Sequence, residues 1–452
     1  MGHGRADASG SVIVLTVVAL VLASVAAPAG TSESSSLLEI DAFELPNGMR
    51  FLLVERPRSA TVAAGWVVRA GSADDPDGQS GLAHMLEHML FKGTETIRPG
   101  ELDVLYARAG ATGLNALTQR DLTAYFVSLP AEKLELWFWL ESDRLLAPAF
   151  RDLPAERDVV REERRLRVEA TPTGELEEEL QALLWGADPY GRPPTGVPGD
   201  LERIGPREAG AFFDRHYGAA GLTAVLVGAF EAPAVRSLAE RYFGRLPPTA
   251  ARASEAPLAP PLAASRALDA RCDCRPQARI HYRTVPFGHA DAAAVEVLAS
   301  VLNGRSGRLH RTLVLDRGIA FAAYAEHDEL RRGGSLTLTA EGKGESSAAQ
   351  LLAGLDGEIE RLLTDPPSAR EVGRAGTRLR ADAVRALREP SRLMLRMLIH
   401  AGLGAPEHLA NWSARIAAVA PEDVERVART YLHGRPRVTA RFDRQSEDEA
   451  SP

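Results

Sequence analysis

Apolar and polar positions along the chain fall into blocks whose period predicts strands and helices. Two short apolar runs within residues 43–55 flank a Pro-Asn-Gly sequence at residues 46–48, which is typical of a hairpin turn. Residues 61–68 form a continuous β-branched and apolar run, which indicates a buried strand. Between residues 80 and 93 the apolar residues recur at helical spacing instead. The first part of the chain therefore predicts strands followed by an amphipathic helix.

This helix carries the most informative motif of the sequence. We expect it to begin with Ser80 as N-cap and to end near Gly93. Residues four apart lie on one helix face, so His84 and His88 can reach a single cation, and Glu87 points towards the same cavity. The spacing is H-x-x-E-H, the inverted form of a zinc-hydrolase motif. Because so short a motif also occurs by chance, a third ligand has to decide between a metal site and ordinary polar residues.

A carboxylate from a second predicted helix is the candidate third ligand. Residues 152–170 are strong helix formers with Asp152 at the expected N-cap. On a helical wheel, Glu163 and Glu156 share a face with three apolar residues, Val159, Val160 and Leu166. Acids within an apolar stripe favour a cation nearby. The alternative interpretation is a solvated helix rich in Arg–Glu ion pairs.

The two motifs together resemble the pitrilysin and insulinase-like zinc peptidases, in particular half-length members similar to mitochondrial processing peptidase. The resemblance implies one zinc ion per chain, with His84, His88 and Glu163 as ligands. It also implies that Glu87 is the catalytic base and that Glu156 is a catalytic acid supporting the site. The expected activity is zinc-dependent endopeptidase cleavage of unstructured peptides.

The same resemblance assigns a substrate-binding strand. Residues 115–130 are similar to the strand that pairs with an extended substrate beside the metal, and Asn115 and Ala116 are the expected contacts. Such binding adds a strand to an exposed sheet edge. The alternative is that residues 123–128 form an ordinary core strand.

The domain organisation follows from the length and from the resemblance. A chain of 452 residues with 45% hydrophobic residues is long enough for two domains with separate cores. The resemblance implies an α+β fold of two homologous α/β sandwich domains, each a sheet with helices packed on it, that form half of a clamshell chamber. The predicted segments are an N-terminal zinc-binding domain, an Ala/Pro-rich linker, a C-terminal domain and a polar tail at residues 38–246, 247–270, 271–443 and 444–452.

The N-terminus predicts export. Arg5 precedes an apolar core at residues 12–25 and small residues near Ala27, so residues 1–26 are typical of a signal peptide. The expected location is periplasmic or secreted, and an uncleaved anchor is the alternative. After cleavage no remaining apolar run is long enough to predict a membrane span.

The net charge bears on the class of partner, and the two cysteines bear on disulfide formation. The net charge of −8 argues against nucleic acid as the main partner. The two cysteines, Cys272 and Cys274, are separated by one residue, and alternate strand residues would leave too awkward a geometry for a bridge. We therefore predict strand residues without a bridge between them, and an auxiliary metal site or an intermolecular bridge is the alternative.

The second half departs from the family pattern. Complete members carry an Arg and a Tyr that hold the substrate carbonyl, and those positions fall on Val314 and Phe321, which cannot donate hydrogen bonds. A shifted arrangement through Arg311, Arg317 or Tyr324 is the alternative. The expectation is a heterodimer in which a related subunit supplies the Arg/Tyr pair. Because some relatives are non-catalytic, a scaffold or binding subunit is the second hypothesis.

Overall fold

The computed structural model describes residues 38–248 and 257–445. The predicted signal peptide, part of the predicted linker and most of the predicted polar tail lie outside these residues. The described chain contains two mixed sheets, each with helices packed on it, so the predicted fold class is confirmed. Helices in the described residues include none that is both long and apolar enough to cross a bilayer.

The first sheet has six strands in the order β1-β2-β6-β3-β5-β4. All neighbouring pairs are antiparallel except β2 and β6, and the predicted hairpin turn joins β1 and β2. The strands are β1 Asp41–Glu44, β2 Arg50–Glu55, β3 Thr61–Val68, β4 Thr112–Thr118, β5 Thr123–Pro130 and β6 Leu222–Gly228. Among the described strands, β4 therefore lies at an open edge of this sheet, and it contains Asn115 and Ala116, the residues predicted to contact the substrate.

The second sheet has five strands in the order β7-β11-β8-β10-β9. Only β7 and β11 are parallel. The strands are β7 Arg266–Cys272, β8 Gln277–Thr284, β9 Ala320–Leu330, β10 Gly333–Gly342 and β11 Arg437–Arg444. The strand β7 begins inside the segment that the sequence assigned to the linker.

Helices follow the strands in both halves. Those of the first half are α1 Leu82–Met89, α2 Glu101–Arg108, α3 Leu134–Leu146, α4 Leu153–Arg164, α5 Gly174–Trp185, α6 Pro198–Leu201, α7 Pro206–His216 and α8 Ala232–Tyr242. Those of the second half are α9 Ala292–Leu302, α10 Ala348–Thr364, α11 Ala369–Arg388, α12 Pro390–Leu403, α13 Glu407–Ala417 and α14 Pro421–Tyr431. Two π-helices, Arg165–Glu169 and His310–Asp316, and five short 3-10 helices also occur in the described residues.

The two halves are joined by apolar packing and by an ion pair. Helix α12 from the second half covers one face of the first sheet, where Met394 and Leu398 pack among Val67 and Val225. At the turn between β9 and β10, the backbone N–H of Arg331 donates to Asp121 at 2.8 Å, in the turn between β4 and β5. The second half therefore supports the hairpin that presents the edge strand.

The prediction of unbridged cysteines is wrong. Cys272 and Cys274 form a disulfide, with their Cα atoms 5.2 Å apart. The strand β7 ends at Cys272 and Cys274 lies in the following bend, so the alternation of a strand no longer separates the two side chains.

Candidate metal centre

The beginning of α1 is fixed by a buried carboxylate and differs from the predicted cap. The N-cap residue is Gly81 with φ 91°, a left-handed conformation that favours glycine. The carboxylate of Asp75 accepts hydrogen bonds from the N–H groups of Gly81 at 2.7 Å and Ala83 at 2.8 Å. Ser80, the predicted N-cap, instead donates its hydroxyl to Asp200 at 2.7 Å. The prediction of Ser80 as cap is therefore wrong, although the helix starts where the pattern placed it.

Three candidate ligand atoms converge between α1 and α4. The Nε2 atoms of His84 and His88 lie 3.7 Å and 3.2 Å from Oε2 of Glu163. Zinc–ligand bonds of about 2.0–2.1 Å at tetrahedral angles would place ligand atoms roughly 3.4 Å apart. Among the described residues this is the set of three His, Cys, Asp or Glu side chains close enough to share one metal ion. The donor set therefore fits zinc.

One imidazole is oriented by a carboxylate behind it. His88 bonds through Nδ1 to Oε1 of Glu156 at 2.9 Å, which leaves its Nε2 directed at Glu163. The second oxygen of Glu156 forms an ion pair with Nζ of Lys92 at 2.5 Å. Such outer partners of a ligating histidine hold the ring and its tautomer in place. Glu156 therefore acts on the site through His88.

The protonation states of His84 and Glu163 favour cation binding. Burial lowers the pKa of His84 to about 4, with further lowering from the nearby His88. The hydrogen bond from His88 lowers the pKa of Glu163, despite its partial burial. At neutral pH this gives an unprotonated imidazole at His84 and a charged carboxylate at Glu163, the forms that metals bind.

The predicted base is buried beside the ligands. Glu87 is 8% exposed, and its Oε2 accepts a hydrogen bond from the hydroxyl of Thr118 at 2.5 Å. Burial raises the pKa of Glu87, and the bond from Thr118 counteracts part of that rise. Its other carboxylate oxygen accepts no hydrogen bond from the described residues, so it is free to receive a proton.

The acidic helix α4 is buried along a narrower stripe than predicted. Glu156 and Val160 are buried, whereas Val159 and Leu166 are 49% and 56% exposed. The buried side is centred on Glu156 and Val160, so Glu163 lies at its border and the other two apolar residues lie beyond it. Of the three apolar residues that share a face with Glu163, only Val160 is therefore buried.

The far end of α4 is anchored by a buried arginine. The guanidinium of Arg164 forms two hydrogen bonds of 2.7 Å with Glu178 and donates to the carbonyl of Gly196 at 2.9 Å. One helical turn apart, Glu163 and Arg167 form an ion pair at the rim of the cavity. These contacts hold Glu163 at the point where the helix changes to π geometry.

The edge strand and the metal set share one cavity. Asn115 and Ala116 line it together with Glu87 and the three candidate ligands, and its volume is about 610 Å³. Asn115 is exposed, and β4 pairs on one side only with the strands that the structure describes. The side chains predicted to form the site therefore lie together around a single opening.

The sequence analysis did not identify two residues that contact the site, Lys92 and Thr118. Lys92 lies four residues after His88, so helical spacing alone placed it on the same face. Thr118 lies two residues after Ala116 and therefore shares its face of β4. Their contacts with Glu156 and Glu87 depend on tertiary packing, which the local pattern does not show.

The residues of the second half stand apart from this cavity, whose lining comes entirely from residues 84–195. Val314 packs against the core of the second sheet. Phe321 is 60% exposed, with the guanidinium of Arg275 over its ring at 4.6 Å. Neither Arg311, Arg317 nor Tyr324 is among the residues that line the metal-site cavity in the described structure.

Comparisons with known proteins agree with the fold and the motif. The family model described as "Insulinase (Peptidase family M16)" matches residues 50–196, and "Peptidase M16 inactive domain" matches residues 206–379. The chain is 25% identical over 369 residues to "Zinc protease PqqE" of Helicobacter pylori, which covers 79% of this chain and 82% of that protein.

Solved structures show the same architecture. A protease from Helicobacter pylori has a TM-score of 0.84 and 23% identity, covering 90% of this chain and 99% of that chain. The periplasmic protease PqqL from Escherichia coli has a TM-score of 0.72 and 18% identity, and covers 91% of this chain but 49% of that chain. The present chain thus covers nearly all of one solved chain and about half of the other.

Proposed function

Because the chain belongs to the insulinase family of peptidases, peptidase family M16, we propose that it is a zinc-dependent endopeptidase. The observation that carries this proposal is the convergence of His84, His88 and Glu163 beside the buried carboxylate of Glu87. The relatives named as zinc proteases support it. One zinc ion per chain would be held by the two imidazoles and by Glu163.

The reaction assigns a separate task to each side chain. Bound zinc would polarise the scissile carbonyl and lower the pKa of a water molecule. Glu87 takes a proton from the attacking water through its free oxygen and passes it to the leaving amine. Thr118 holds the other oxygen of Glu87 at 2.5 Å, which keeps the carboxylate directed at the cavity. Glu156 orients His88 from behind.

The substrate proposed for this site is an unstructured peptide. An extended peptide can add to the open edge of β4 by main-chain hydrogen bonds, and Asn115 and Ala116 lie on that edge beside the metal set. A folded domain cannot present such a strand without unfolding. The sequence preference of cleavage follows from side chains that an extended peptide would meet along β4.

The active form is proposed to be a heterodimer. The metal-site cavity is lined by the first half alone, and Val314 and Phe321 offer no hydrogen-bond donor. Loss of such donors opposite a reacting carbonyl typically costs a factor of about 10² to 10³ in rate. A related subunit that supplies an arginine and a tyrosine would restore them, and the half-length match to PqqL fits pairing of two such chains.

Export is proposed from the N-terminal segment. An apolar core with small residues after it is typical of a signal peptide, and the disulfide Cys272–Cys274 fits an oxidising compartment. N-terminal sequencing of the protein from its native host is expected to start near Ala27. A protein that retains its first residues would contradict cleavage.

The activity test uses the mature chain alone and together with a related subunit from the same host. Cleavage of a quenched unstructured peptide is expected only in the mixture, with Glu87→Gln in the mixture as the inactive control. Full activity of the isolated chain would contradict the heterodimer. Zinc binding without cleavage in any mixture would favour the second candidate, a non-catalytic subunit. The match of residues 206–379 to the model described as "Peptidase M16 inactive domain" is the reason to test that candidate.

A further inference from the structure

The second half contains a separate cavity of about 220 Å³ that the peptidase mechanism does not use. It lies between α9, β9, α12 and α13, and its walls combine aromatic, aliphatic and charged side chains. Its volume is below the roughly 300–1,000 Å³ of drug-sized ligand sites, so only a small molecule fits. No residue of this cavity lines the metal-site cavity among the described residues.

One wall presents polar atoms that have no hydrogen-bond partner among the described residues. The carboxylate of Glu329 receives no hydrogen bond from the described residues, and Nδ1 of His327 lies 3.9 Å from its Oε1, beyond hydrogen-bond range. The side chain of His327 is 3% exposed, and its Nε2 is buried without a partner. Burial and the nearby Glu296 raise the pKa of Glu329 to about 7. A buried imidazole nitrogen and a partly buried carboxylate, both without partners, favour a ligand that brings N–H donors.

A hydrogen-bond donor without an acceptor among the described residues lies on α12. Arg396 stacks over Trp412, with its guanidinium carbon 5.6 Å from the ring centroid, and donates to no acceptor among the described residues. The other cation of the cavity, Arg415, is already engaged with the carbonyl of His289 at 2.7 Å. Trp412 in turn donates to Glu296 at 2.9 Å. Arg396 is therefore the donor available to a ligand carboxylate.

The charges and the apolar wall define the ligand class. An ammonium group bound beside Glu329 would favour its charged form, in which Glu296 and Glu329 balance Arg396 and Arg415, so a neutral ligand with separated charges matches the cavity better than a net cation or anion. Phe287 supplies an apolar surface beside the charged groups.

A metal ion is a poorer occupant. The described residues bring three ligand atoms together only at His84, His88 and Glu163, so those of the second cavity are too dispersed to share one ion without rearrangement.

We propose that this cavity binds a small zwitterion, a free amino acid with an apolar side chain or a dipeptide. Its ammonium group bonds to Glu329 and His327, its carboxylate bonds to Arg396, and its side chain lies against Phe287 and Leu403. Helix α12 carries Arg396 on this side and packs on the first sheet through Met394 and Leu398, so an occupant is positioned to affect both halves. This inference does not depend on peptidase activity.

The first test uses the unaltered protein and calorimetric titration with L-leucine, N-acetyl-L-leucine and L-leucinamide. L-leucine is expected to bind with Kd below about 1 mM, and each derivative at least about tenfold more weakly, because each lacks one of the two charges. Absence of L-leucine binding at about 10 mM would overturn the proposal. Equal affinity for either derivative would also overturn it.

A second test locates the binding site. Glu329→Gln and Arg396→Met are each expected to weaken L-leucine binding at least about tenfold. The exposed Glu360→Gln serves as a matched control, and Glu163→Gln excludes binding at the metal set; both are expected to leave the affinity unchanged. Thermal melts establish that the variants are folded. Loss of binding in Glu163→Gln with full binding in folded Glu329→Gln and Arg396→Met would overturn the assignment.

Discussion

Glu156 is bonded on one oxygen to Nδ1 of His88 and on the other to Nζ of Lys92. This arrangement joins a partly exposed lysine to a candidate zinc ligand through one buried carboxylate. It explains why an acid seven residues before Glu163 is buried on a helix that is otherwise rich in solvated charges. The orientation of His88 therefore depends on Glu156 and, through Glu156, on Lys92. Substitution of Lys92 tests this dependence.

We expect Lys92→Met to weaken zinc binding by about tenfold, because Glu156 would lose the cation that holds it against His88. Zinc affinity measured by competition with a chelator checks this. Lys343→Met, at an exposed lysine of the second half, is the matched control. Unchanged zinc affinity in Lys92→Met would show that Glu156 keeps its position against His88 without Lys92.

The contact between Thr118 and Glu87 predicts a selective loss of turnover. Thr118→Val leaves a buried carboxylate oxygen without its donor, so the base loses its fixed orientation, and kcat is expected to fall by about tenfold or more. Steady-state kinetics of the assembled enzyme are expected to show little change in KM, with zinc content unchanged. Thr118→Ser keeps the hydroxyl and is expected to restore most of kcat. A variant with valine that retains full kcat would remove Thr118 from the mechanism.

The ion pair between the halves predicts a loss of stability. Arg331 contributes its backbone N–H and its guanidinium to the buried Asp121. Arg331→Ala removes the charged partner, and the free energy of unfolding is expected to fall by about 2 kcal/mol. Denaturant titration measures it, with the exposed Arg305→Ala as control. An effect no larger than that of the control would mean that the other contacts between the halves, among them the packing of α12 and the ion pair of Arg332 with Asp188, hold them together without this one.

The contact between Arg308 and Glu371 predicts a pH dependence of stability. The hydrogen bonds from Arg308 lower the pKa of Glu371 to about 2 from an ordinary value of 4.5. A carboxyl whose folded pKa is depressed stabilises the protein above its unfolded pKa and loses that contribution as pH falls towards the folded pKa. Because Glu371 is partly exposed, we expect Glu371→Gln to cost only about 1 kcal/mol at pH 7.

That difference is expected to shrink as the pH falls from about 4.5 towards 2, where wild-type Glu371 becomes protonated. Unfolding free energies of both proteins across this range check the sign. A difference that stays constant with pH would assign the cost to lost packing or capping at the start of α11.

The parts of the site predictable from sequence were those set by local periodicity. The spacing of His84, Glu87 and His88 places them together on any regular helix, and the wheel places Glu156 and Glu163 on one side of α4. The two sheets followed from a resemblance and from apolar runs. These features depend on neighbours in sequence, which the pattern records.

The remainder depended on tertiary packing. The cap of α1 is a carboxylate six residues before Gly81, so no local N-cap rule identifies it. Val159 and Leu166 are exposed because the neighbouring elements cover only part of the face of α4. The disulfide of Cys272 and Cys274 required knowing where β7 ends. Strand order, and therefore the open edge at β4, was likewise not a local property.

The central claim is that His84, His88 and Glu163 hold one zinc ion that Glu87 serves as base, and metal analysis of purified variants tests it most directly. The wild type and Glu87→Gln are each expected to contain about one zinc per chain, whereas His88→Ala is expected to contain almost none. Glu87→Gln is further expected to lack turnover. Stoichiometric zinc in folded His88→Ala, or no zinc in the wild type, would contradict the account.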